Sequence, residues 1–315
     1  MNLSNLLRKA KKFITDKDYR FLLLAEYGVY NGLSDEAYIR KKYRAKMGKE
    51  LHLEHPRTFN EKLQWLKCND RRPEYTVMVD KFKVREYIKN ILGEEYLIPL
   101  LGVWDDPEQI DFDKLPNQFV LKCNHNSGLG MCICKDKSKL NIANVKKALR
   151  KGLAQDYYLT GREWPYHAVP RKIIAEKYMT DDSENPEKGL NDYKFFCFNG
   201  EVDCVMVCIE RNTGTPKFYF FDGQWNLKKY NVRGRNAPED FSLSRPHCLD
   251  EMFEIAARLS KGLPFARVDL YECDGRVYFG EITFFPDSGF DANLLKETDI
   301  YFGEKIHIFS GRDGE

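Results

Sequence analysis

The stretch that decides the fold is FARVDLYECDGRVYFGEITFF, residues 265–285, which predicts two β-strands joined at Asp274-Gly275. An aspartate-glycine step between runs of β-forming residues is a strong hairpin signal. We expect a three-residue loop that begins at Cys273, with Gly275 in the left-handed conformation that glycine adopts without steric cost. This loop aligns odd-numbered residues of one strand with odd-numbered residues of the other, so side chains of equal parity share a face.

One face of this predicted hairpin is apolar and the other is charged. The apolar face contains Ala266, Val268, Leu270, Ile282 and Phe284. The charged face contains Arg267, Asp269, Glu281 and Thr283. Two carboxylates in this arrangement could bind Mg²⁺ through their oxygen atoms, and the guanidinium beside them suits a phosphate bound next to the ion. The alternative is a solvated salt-bridged face, but Phe265, Val277 and Phe279 are expected on the same side and argue against full exposure.

A glycine-rich stretch, FVLKCNHNSGLGMCIC at residues 119–134, predicts a strand that carries Lys122 into a loop. The loop reads Asn126-Ser127-Gly128-Leu129-Gly130 and precedes a second β-rich run. Glycines allow backbone N–H groups to approach an anion, and a lysine on the adjoining strand adds a point charge for a phosphate. No Gly-Lys-Ser/Thr follows, so this is not a Walker loop, and an ordinary hairpin turn is the alternative interpretation.

Two shorter strand segments could add to such a site. The segment KIIAEKYM, residues 172–179, predicts a strand whose end could offer backbone hydrogen bonds to the edge of a base and a flat side chain to its face. In DYKFF, residues 192–196, Asp192 and Lys194 lie on one side of a strand, where Lys194 could reach a phosphate. An ordinary strand end and an exposed ion pair are the alternatives.

Residues 1–75 are rich in charge and in helical spacing. Thr58 followed by Glu61 predicts a capping box and the start of a helix. Nearer the amino terminus, one apolar helix face is formed by Leu6, Leu7, Ala10, Phe13 and Ile14, opposite a basic face. We favour a helix that docks on its own domain, and the alternative is a helix that lies on an anionic membrane surface.

Composition limits the protein class. The chain has 315 residues and a formal charge of +2, which argues against nucleic-acid binding driven mainly by phosphate neutralisation. No apolar run approaches the roughly 18 residues of a membrane-spanning helix, and the basic first segment does not resemble a secretory signal. Nine cysteines, an odd number, favour reduced thiols over a disulfide framework. We therefore expect a cytoplasmic protein of mixed α and β structure.

The order of seven motifs over residues 56–286 resembles the ATP-grasp superfamily and its teichuronopeptide-biosynthesis, TupA-like branch. The motifs are PRTFNEKLQWLK, MVDK, FVLKCNHNSGLG, EKYM, DYKFFCFNGEV, FARVDLY and YFGEITFFP. The resemblance implies an α+β fold in which two α+β subdomains clamp ATP. Residues 1–75 would form a mostly helical segment, residues 76–178 the first subdomain with the glycine-rich phosphate loop, and residues 179–315 the second subdomain with the metal site.

The resemblance also implies roles for single residues. ATP would be contacted at its phosphates by Lys81, Lys122, Asn126, Ser127, Gly128 and Gly130, at adenine by Glu176, Lys177, Tyr178 and Met179, and at the ribose by Asp182 or Glu184. Lys194 and Arg267 would act on the transferred phosphoryl group. Asp269 and Glu281 would hold Mg²⁺, and Thr283 stands at a third metal position where many ATP-grasp enzymes have asparagine.

What the resemblance implies about function is an ADP-forming carboxylate-amine ligase with an acylphosphate intermediate. It would join an amino acid or amine to a uronic acid or related carboxylate in bacterial capsule or exopolysaccharide biosynthesis. From the composition we expect it to act in the cytoplasm without a nucleic-acid partner, and peripheral membrane contact through the first helix stays the alternative to its docking on the protein. The alternatives are a glycosyltransferase that uses a nucleotide sugar, for which Asp111-Phe112-Asp113 offers a D-x-D pattern, a sugar phosphotransferase, and a nucleotide-binding scaffold without turnover.

Overall fold

The computed structural model of the chain describes residues 3–180 and 189–308. The helices are α1 Leu3–Thr15, α2 Lys17–Glu26, α3 Asp35–Met47, α4 Phe59–Asn69, α5 Glu74–Val79, α6 Val84–Ile91, α7 Ile142–Ala154, α8 Tyr158–Gly161, α9 Val232–Arg235, α10 Leu249–Ser260 and α11 Lys296–Lys305. The strands are β1 Leu100–Trp104, β2 Phe119–Cys123, β3 Cys132–Cys134, β4 Ile173–Lys177, β5 Asp192–Phe198, β6 Glu201–Ile209, β7 Lys217–Phe221, β8 Leu227–Lys228, β9 Phe265–Cys273 and β10 Arg276–Thr283. None of the helices in these two ranges has the length and hydropathy needed to cross a membrane.

The strands form two antiparallel sheets, which confirms the predicted α+β class. The small sheet has the order β1-β4-β2-β3, and the large sheet has the order β10-β9-β5-β6-β7-β8. Asn199-Gly200 joins β5 to β6, and the turn that contains Asp222-Gly223 joins β7 to β8; steps of this kind between β-forming runs are typical of hairpins. The division of the chain at residues 75 and 178 stays a prediction.

The small sheet is covered by α7, and this packing fixes the glycine-rich loop. Phe119 and Leu121 of β2 alternate inward and pack with Leu149 of α7 in one buried cluster. The loop after β2 then passes so close to the helix that a Cβ on Gly130 would lie 3.0 Å from the Cα of Gly152. Only glycine permits this approach, so the loop at residues 126–130 is anchored at its end on α7.

The large sheet is covered on both faces. Helix α10 packs on one face through residues such as Met252 and Ala256. On the other face the Phe59 ring of α4 meets the rings of Phe265 in β9 and Phe302 in α11, with centroid distances of 4.9 and 5.6 Å. Helix α4 of the amino-terminal segment is therefore part of the core of the large sheet.

The predicted capping box at the start of α4 is present. The Thr58 Oγ1 atom accepts a hydrogen bond from the Glu61 backbone N–H at 3.4 Å, and the Glu61 Oε2 atom accepts one from the Thr58 backbone N–H at 3.0 Å. These bonds satisfy two of the N–H groups that a helix start leaves without partners within the helix.

Replacement of Thr58 by Ala is expected to lower the free energy of unfolding by about 1 kcal/mol, because it removes the oxygen that caps α4. Urea denaturation followed by circular dichroism measures this change. Thr58→Ser keeps the oxygen and serves as the matched control, with an expected change of less than about 0.5 kcal/mol. Equal losses in both variants would show that the methyl group, and not the cap, stabilises the helix start.

The hairpin of β9 and β10 differs from the prediction in its turn. Cys273 pairs directly with Arg276, so the loop has two residues, Asp274 and Gly275, with φ values of 53° and 69°. This turn would pair odd-numbered with even-numbered positions. A bulge between Phe279 and Glu281 then shifts the register by one residue. The expected three-residue loop is wrong, yet the predicted alignment is correct beyond the bulge.

The bulge also corrects the placement of two apolar residues. Val277 pairs with Glu272, and Phe279 pairs with Leu270, so both side chains lie on the opposite face from Asp269. They are buried in the main core rather than beside the charged group. Beyond the bulge Glu281 pairs with Asp269, and Thr283 pairs with Arg267, which brings the four predicted residues to one face.

The amino-terminal helices depart from the sequence interpretation at α1. The favoured docking of its apolar face is wrong, because Leu6, Leu7 and Ile14 are 53%, 63% and 73% exposed. Further along, α6 begins at Val84, and the Asp80 side chain accepts hydrogen bonds from the backbone N–H groups of residues 82 and 83 ahead of it. Lys81 therefore lies in a turn ahead of α6.

Candidate functional site

A cavity of about 510 Å³ lies between the two sheets, and most of the predicted site residues line it. These residues are Lys81, Lys122, Asn126, Ser127, Gly128, Glu176, Lys177, Tyr178, Met179, Lys194, Arg267, Asp269 and Glu281. Gly130 packs against α7 at the end of the loop, and Thr283 lies two residue pairs further along the hairpin from Glu281. Asp182 and Glu184 lie outside the described residues.

A charged cluster forms the floor of this cavity on the large sheet. Arg267 donates to both oxygens of Asp269, from Nε and from Nη2, each at 2.7 Å. Lys194 lies across the sheet on β5, where its Nζ donates to the Asp269 carboxylate and, at 2.6 Å, to Asp192 Oδ2. The Arg267 Nη2 atom also reaches Glu281 Oε1 at 3.2 Å. Two cations and three carboxylates thus share one network in which the positions of all charges are fixed.

The cluster shifts the pKa values of its members. Burial lowers the pKa of Lys194, but the Asp269 and Asp192 carboxylates outweigh it and raise that pKa above its ordinary value. Partial burial raises the pKa of Glu281, but the Lys81 and Arg267 cations outweigh it and lower that pKa to about 2. Lys194 is therefore a permanent cation and Glu281 a permanent carboxylate at neutral pH.

The oxygen atoms of this cluster fit Mg²⁺. Glu281 lies opposite Asp269 on the paired strands, the Thr283 hydroxyl lies 3.3 Å from Glu281 Oε1, and oxygen is the donor that Mg²⁺ prefers. The Glu281 side chain is 37% exposed, so its carboxylate has open surface for an ion. Within the described ranges no group of three or more His, Cys, Asp or Glu side chains is arranged to hold a metal. The donor set suits an ion that takes two protein carboxylates and completes its shell with phosphate and water.

The opposite wall of the cavity supplies cations from the small-sheet side. The Lys81 Nζ atom donates to the Asn126 carbonyl oxygen at 2.8 Å and lies 3.7 Å from Glu281 Oε2. Lys81 thus connects the glycine-rich loop to the charged cluster across the cavity. Asn126 is buried, and its side-chain amide donates to the Gly152 carbonyl oxygen at 3.2 Å, so it holds the loop against α7. Gly128, with a φ of 78°, needs the left-handed conformation.

Lys122 is held by a carboxylate on the neighbouring strand. Its Nζ lies 2.6 Å from Glu176 Oε2, and Arg85 Nη1 lies 3.6 Å from the other oxygen of Glu176. Glu176 is buried, so this pair fixes Lys122 at the cavity wall. The side chain of Glu176 is therefore paired with Lys122 and Arg85, whereas the resemblance implied that Glu176 contacts adenine.

The strand end that follows Glu176 borders the apolar part of the cavity. The Lys177 N–H donates to the Pro99 carbonyl oxygen at 2.9 Å, so Tyr178 and Met179 are the first residues beyond the sheet. Val120 and Ile133 of the small sheet line the cavity nearby. A flat apolar wall beside a strand end suits an aromatic base.

Sequence reasoning missed two residues that line the same cavity. Arg211 Nη1 lies 3.2 Å from Asp192 Oδ2 and 3.2 Å from the Tyr271 hydroxyl. Tyr271 has the same parity on β9 as Arg267 and Asp269, so the parity argument could have identified it. Arg211 follows β6 without any motif. The other oxygen of Asp192, Oδ1, is buried without a hydrogen-bond donor among the described residues, which is consistent with a ligand that donates to it.

A second cavity of about 830 Å³ adjoins the first and shares Lys194 and Arg267 with it. Its walls combine aromatic, amide and charged side chains, including Phe218, Tyr219, Asn231, Arg233, Asn236, Asp287, Asp291 and Asn293. Burial and the neighbouring Asp287 raise the pKa of Asp291 to about 6. Lys194 and Arg267 therefore stand between two cavities, the first lined by charged side chains of both signs with an apolar part, the second by aromatic, amide and charged side chains.

Asp111-Phe112-Asp113 lies away from both cavities. The Asp111 side chain accepts a hydrogen bond from the Asp113 N–H at 3.2 Å and pairs with Lys114 at 3.2 Å. Neither aspartate lines a cavity described above.

Several solved structures are similar to this chain. D-alanine-D-alanine ligase from Helicobacter pylori is 14% identical, with 79% of this chain and 69% of that chain covered and a TM-score of 0.43. The enzyme of the same name from Bacillus anthracis is 16% identical, with 90% and 88% covered and a TM-score of 0.42. The ATP-grasp ligase PsnB, complexed with a minimal precursor, is 12% identical, with 71% and 59% covered and a TM-score of 0.39. None of the curated proteins matches the chain.

The family model of TupA-like ATP-grasp proteins matches residues 61–307. The match spans most of the chain and includes every site residue predicted from the sequence. It confirms the resemblance and the prediction of an ATP-grasp enzyme. The chain belongs to the TupA-like ATP-grasp family.

Proposed function

We propose that the chain is an ADP-forming ligase that activates a carboxylate with ATP and joins it to an amine. We propose further that the carboxylate is a uronic acid or a related sugar acid, in the cytoplasmic assembly of a bacterial surface polysaccharide. The observation that carries this proposal is the position of Lys194 and Arg267, which border both cavities. A phosphoryl group that passes from one cavity to the other would pass these two cations.

The residues of the first cavity would bind ATP. Lys81 and Lys122 would neutralise phosphate charge, and the loop at residues 126–130 would cover the phosphates with its backbone N–H groups. Tyr178 and Met179 would border the adenine. Asp269 and Glu281 would hold Mg²⁺, which, when bound, neutralises the charge of the phosphate oxygens and orients them.

Lys194 and Arg267 would stabilise the phosphoryl group as it leaves ATP. Both are permanent cations, and their carboxylate partners hold them in place before a substrate arrives. Charges that are already oriented cost little reorganisation during the reaction, and this is the main electrostatic contribution to catalysis. No side-chain nucleophile is required, because the substrate carboxylate attacks the phosphoryl group and the amine then displaces phosphate.

The second cavity would take the acceptor. Aromatic faces such as Phe218 and Tyr219 suit a sugar ring, and the amides of Asn231, Asn236 and Asn293 suit its hydroxyl groups. Arg233 supplies a guanidinium for a carboxylate. This lining supports a sugar acid as the substrate class.

The assay that tests this function measures ADP release from Mg·ATP with a panel of uronic acids and amino acids, and traps the activated carboxylate with hydroxylamine. We expect ADP release that depends on one carboxylate, and a hydroxamate product. A phosphorylated sugar without amide or hydroxamate would instead identify a phosphotransferase. Binding of a nucleotide sugar without any response to ATP would identify a glycosyltransferase.

Replacement of Arg233 by Met is expected to raise the KM for the carboxylate about tenfold with little change in kcat, because one charge-assisted contact to the substrate is lost. Steady-state kinetics with the carboxylate found in the panel measures this effect. Arg235→Met is the matched control, since Arg235 is exposed on the same helix, α9, and lies outside the second cavity. An unchanged KM in Arg233→Met would exclude binding of the substrate carboxylate at this end of the second cavity.

A further inference from the structure

Helix α1 carries an apolar stripe that the rest of the described chain leaves uncovered. Leu6, Leu7 and Ile14 are more than half exposed, and Ala10 between them is exposed as well. Their spacing places them on one side of the helix. A contiguous exposed apolar stripe marks a surface that binds something.

The charged residues on the rest of α1 are all basic. They are Arg8, Lys9, Lys11 and Lys12, and α1 contains no aspartate or glutamate. The other helices of the amino-terminal segment mix both signs, as in α3, which begins with Asp35 and Glu36. The charge of α1 is therefore a local feature of a chain whose overall charge is +2.

Among the described residues, side-chain hydrogen bonds and an ion pair tie the carboxyl-terminal end of α1 to the segment that follows it. Arg20 Nη1 donates to the carbonyl oxygens of Phe13 and Ile14 at 3.1 and 2.9 Å, and the Lys12 Nζ lies 3.9 Å from Asp16. Asp16 also caps α2 through hydrogen bonds from two backbone N–H groups. These contacts fix the direction of α1, and the stripe is accessible at Leu6, Leu7, Ala10 and Ile14, while Phe13 is partly buried.

We propose that α1 docks the protein on an anionic lipid surface, with the apolar stripe in the boundary between headgroups and acyl chains. An apolar face and a basic face on one helix match a membrane that offers acyl chains and negative headgroups together. Charge decides between the occupants, because Lys9 and Lys11 flank the stripe and would meet the same cations of a second α1 packed stripe to stripe, whereas an anionic headgroup layer attracts them. This docking is independent of the ligase activity.

The test is co-sedimentation of the full chain with phosphatidylcholine vesicles that contain about one-third phosphatidylglycerol, against vesicles of phosphatidylcholine alone. We expect binding to the anionic vesicles only, weakened by salt. Leu7→Glu/Ile14→Glu should abolish it. Lys9→Gln/Lys11→Gln should weaken it at least about tenfold, since each basic residue at such a surface contributes about fivefold.

The matched control is Lys114→Gln/Lys139→Gln, which removes the same charge from exposed lysines of the small-sheet region, 86% and 84% exposed. This variant should bind the vesicles like the unaltered chain. Every variant should have the melting temperature of the unaltered chain, because all the replaced side chains are exposed. Absence of binding, or an equal loss in Lys114→Gln/Lys139→Gln, would overturn the proposal. Concentration-dependent dimerisation that Leu7→Glu/Ile14→Glu abolishes, without vesicle binding, would assign the stripe to a second copy and overturn it as well.

Discussion

Replacement of Glu281 by Gln is expected to lower kcat for ADP formation by about 100- to 1000-fold, with less than about a fivefold change in the Kd of ATP without metal. The side chain keeps its shape and its ability to accept hydrogen bonds from Arg267, so the cluster stays assembled. What is lost is a negative oxygen, and Mg²⁺ binds neutral amide oxygen more weakly than carboxylate. The prediction rests on the proposed function.

Glu281 tests the metal site more cleanly than Asp269 does. Asp269 is buried and accepts hydrogen bonds from both Arg267 and Lys194, so its replacement would leave two buried cations without their partner and destabilise the fold. Glu281, at 37% side-chain exposure, lies at the rim of the cluster. Its replacement changes the charge next to the proposed ion while the buried pairs remain.

Two measurements separate the outcomes. Mn²⁺, used as a paramagnetic probe in the presence of ADP, reports metal binding without any knowledge of the acceptor, and Glu281→Gln should weaken that binding at least about tenfold. Glu254→Gln makes the same chemical change at an exposed position of α10 and should alter neither readout. Full Mn²⁺ binding and full turnover in Glu281→Gln would exclude Glu281 as a metal ligand.

The charged face of the β9–β10 hairpin shows which parts of the site can be predicted from the sequence. Alternation along two strands predicts that Arg267, Asp269, Glu281 and Thr283 meet, and they do. The three-residue loop expected to produce that alignment is wrong. A two-residue turn and a bulge at Gly280 together produce the same alignment. The signal for the bulge was present, since an isolated glycine within a strand often marks one. A Cβ on Gly280 would lie 2.9 Å from the Asp269 carbonyl oxygen.

Other features depend on contacts between distant segments and leave no local pattern. Arg211 reaches Asp192 and Tyr271 only because β6 and β9 both lie beside β5 in the large sheet. The second cavity is built from β6, β7, α9 and the segment around Asp287, which come together only in the folded chain. The exposure of α1 likewise depends on which surfaces are already filled by other helices, and periodicity alone cannot distinguish a docked apolar face from a free one.

Replacement of Lys122 by Ala is expected to weaken the binding of ATP about 100-fold, because it removes a phosphate contact and leaves an uncompensated carboxylate nearby. A hydrogen bond to a charged group contributes about 1.5–3 kcal/mol, which corresponds to about 10- to 150-fold in affinity. Glu176, 2.6 Å from the Lys122 Nζ in the unaltered protein, would then repel the phosphates. Isothermal titration with Mg·ATP measures the loss.

The fold should survive this replacement. Arg85 Nη1 lies 3.6 Å from the second oxygen of Glu176, so the buried carboxylate keeps one cationic partner. Lys172→Ala is the matched control, because Lys172 also pairs with a carboxylate, Asp105, at 2.6 Å, in the same part of the chain but outside the cavity. Its affinity for ATP should be unchanged. Lys122→Arg keeps the charge and should restore part of the affinity, less than fully, since a guanidinium cannot replace the compact ammonium group at the same distance.

The affinities for adenosine and for ATP, compared in Lys122→Ala and the unaltered chain, show which part of the nucleotide Lys122 contacts. Adenosine lacks phosphates, so its affinity should be the same in Lys122→Ala and in the unaltered chain if Lys122 acts on phosphate alone. An equal loss for adenosine and ATP would instead show that Lys122 supports the base end of the cavity through Glu176. Unchanged affinity for ATP in Lys122→Ala would place the nucleotide away from β2. The assignment of the glycine-rich loop to the phosphates would then be wrong as well.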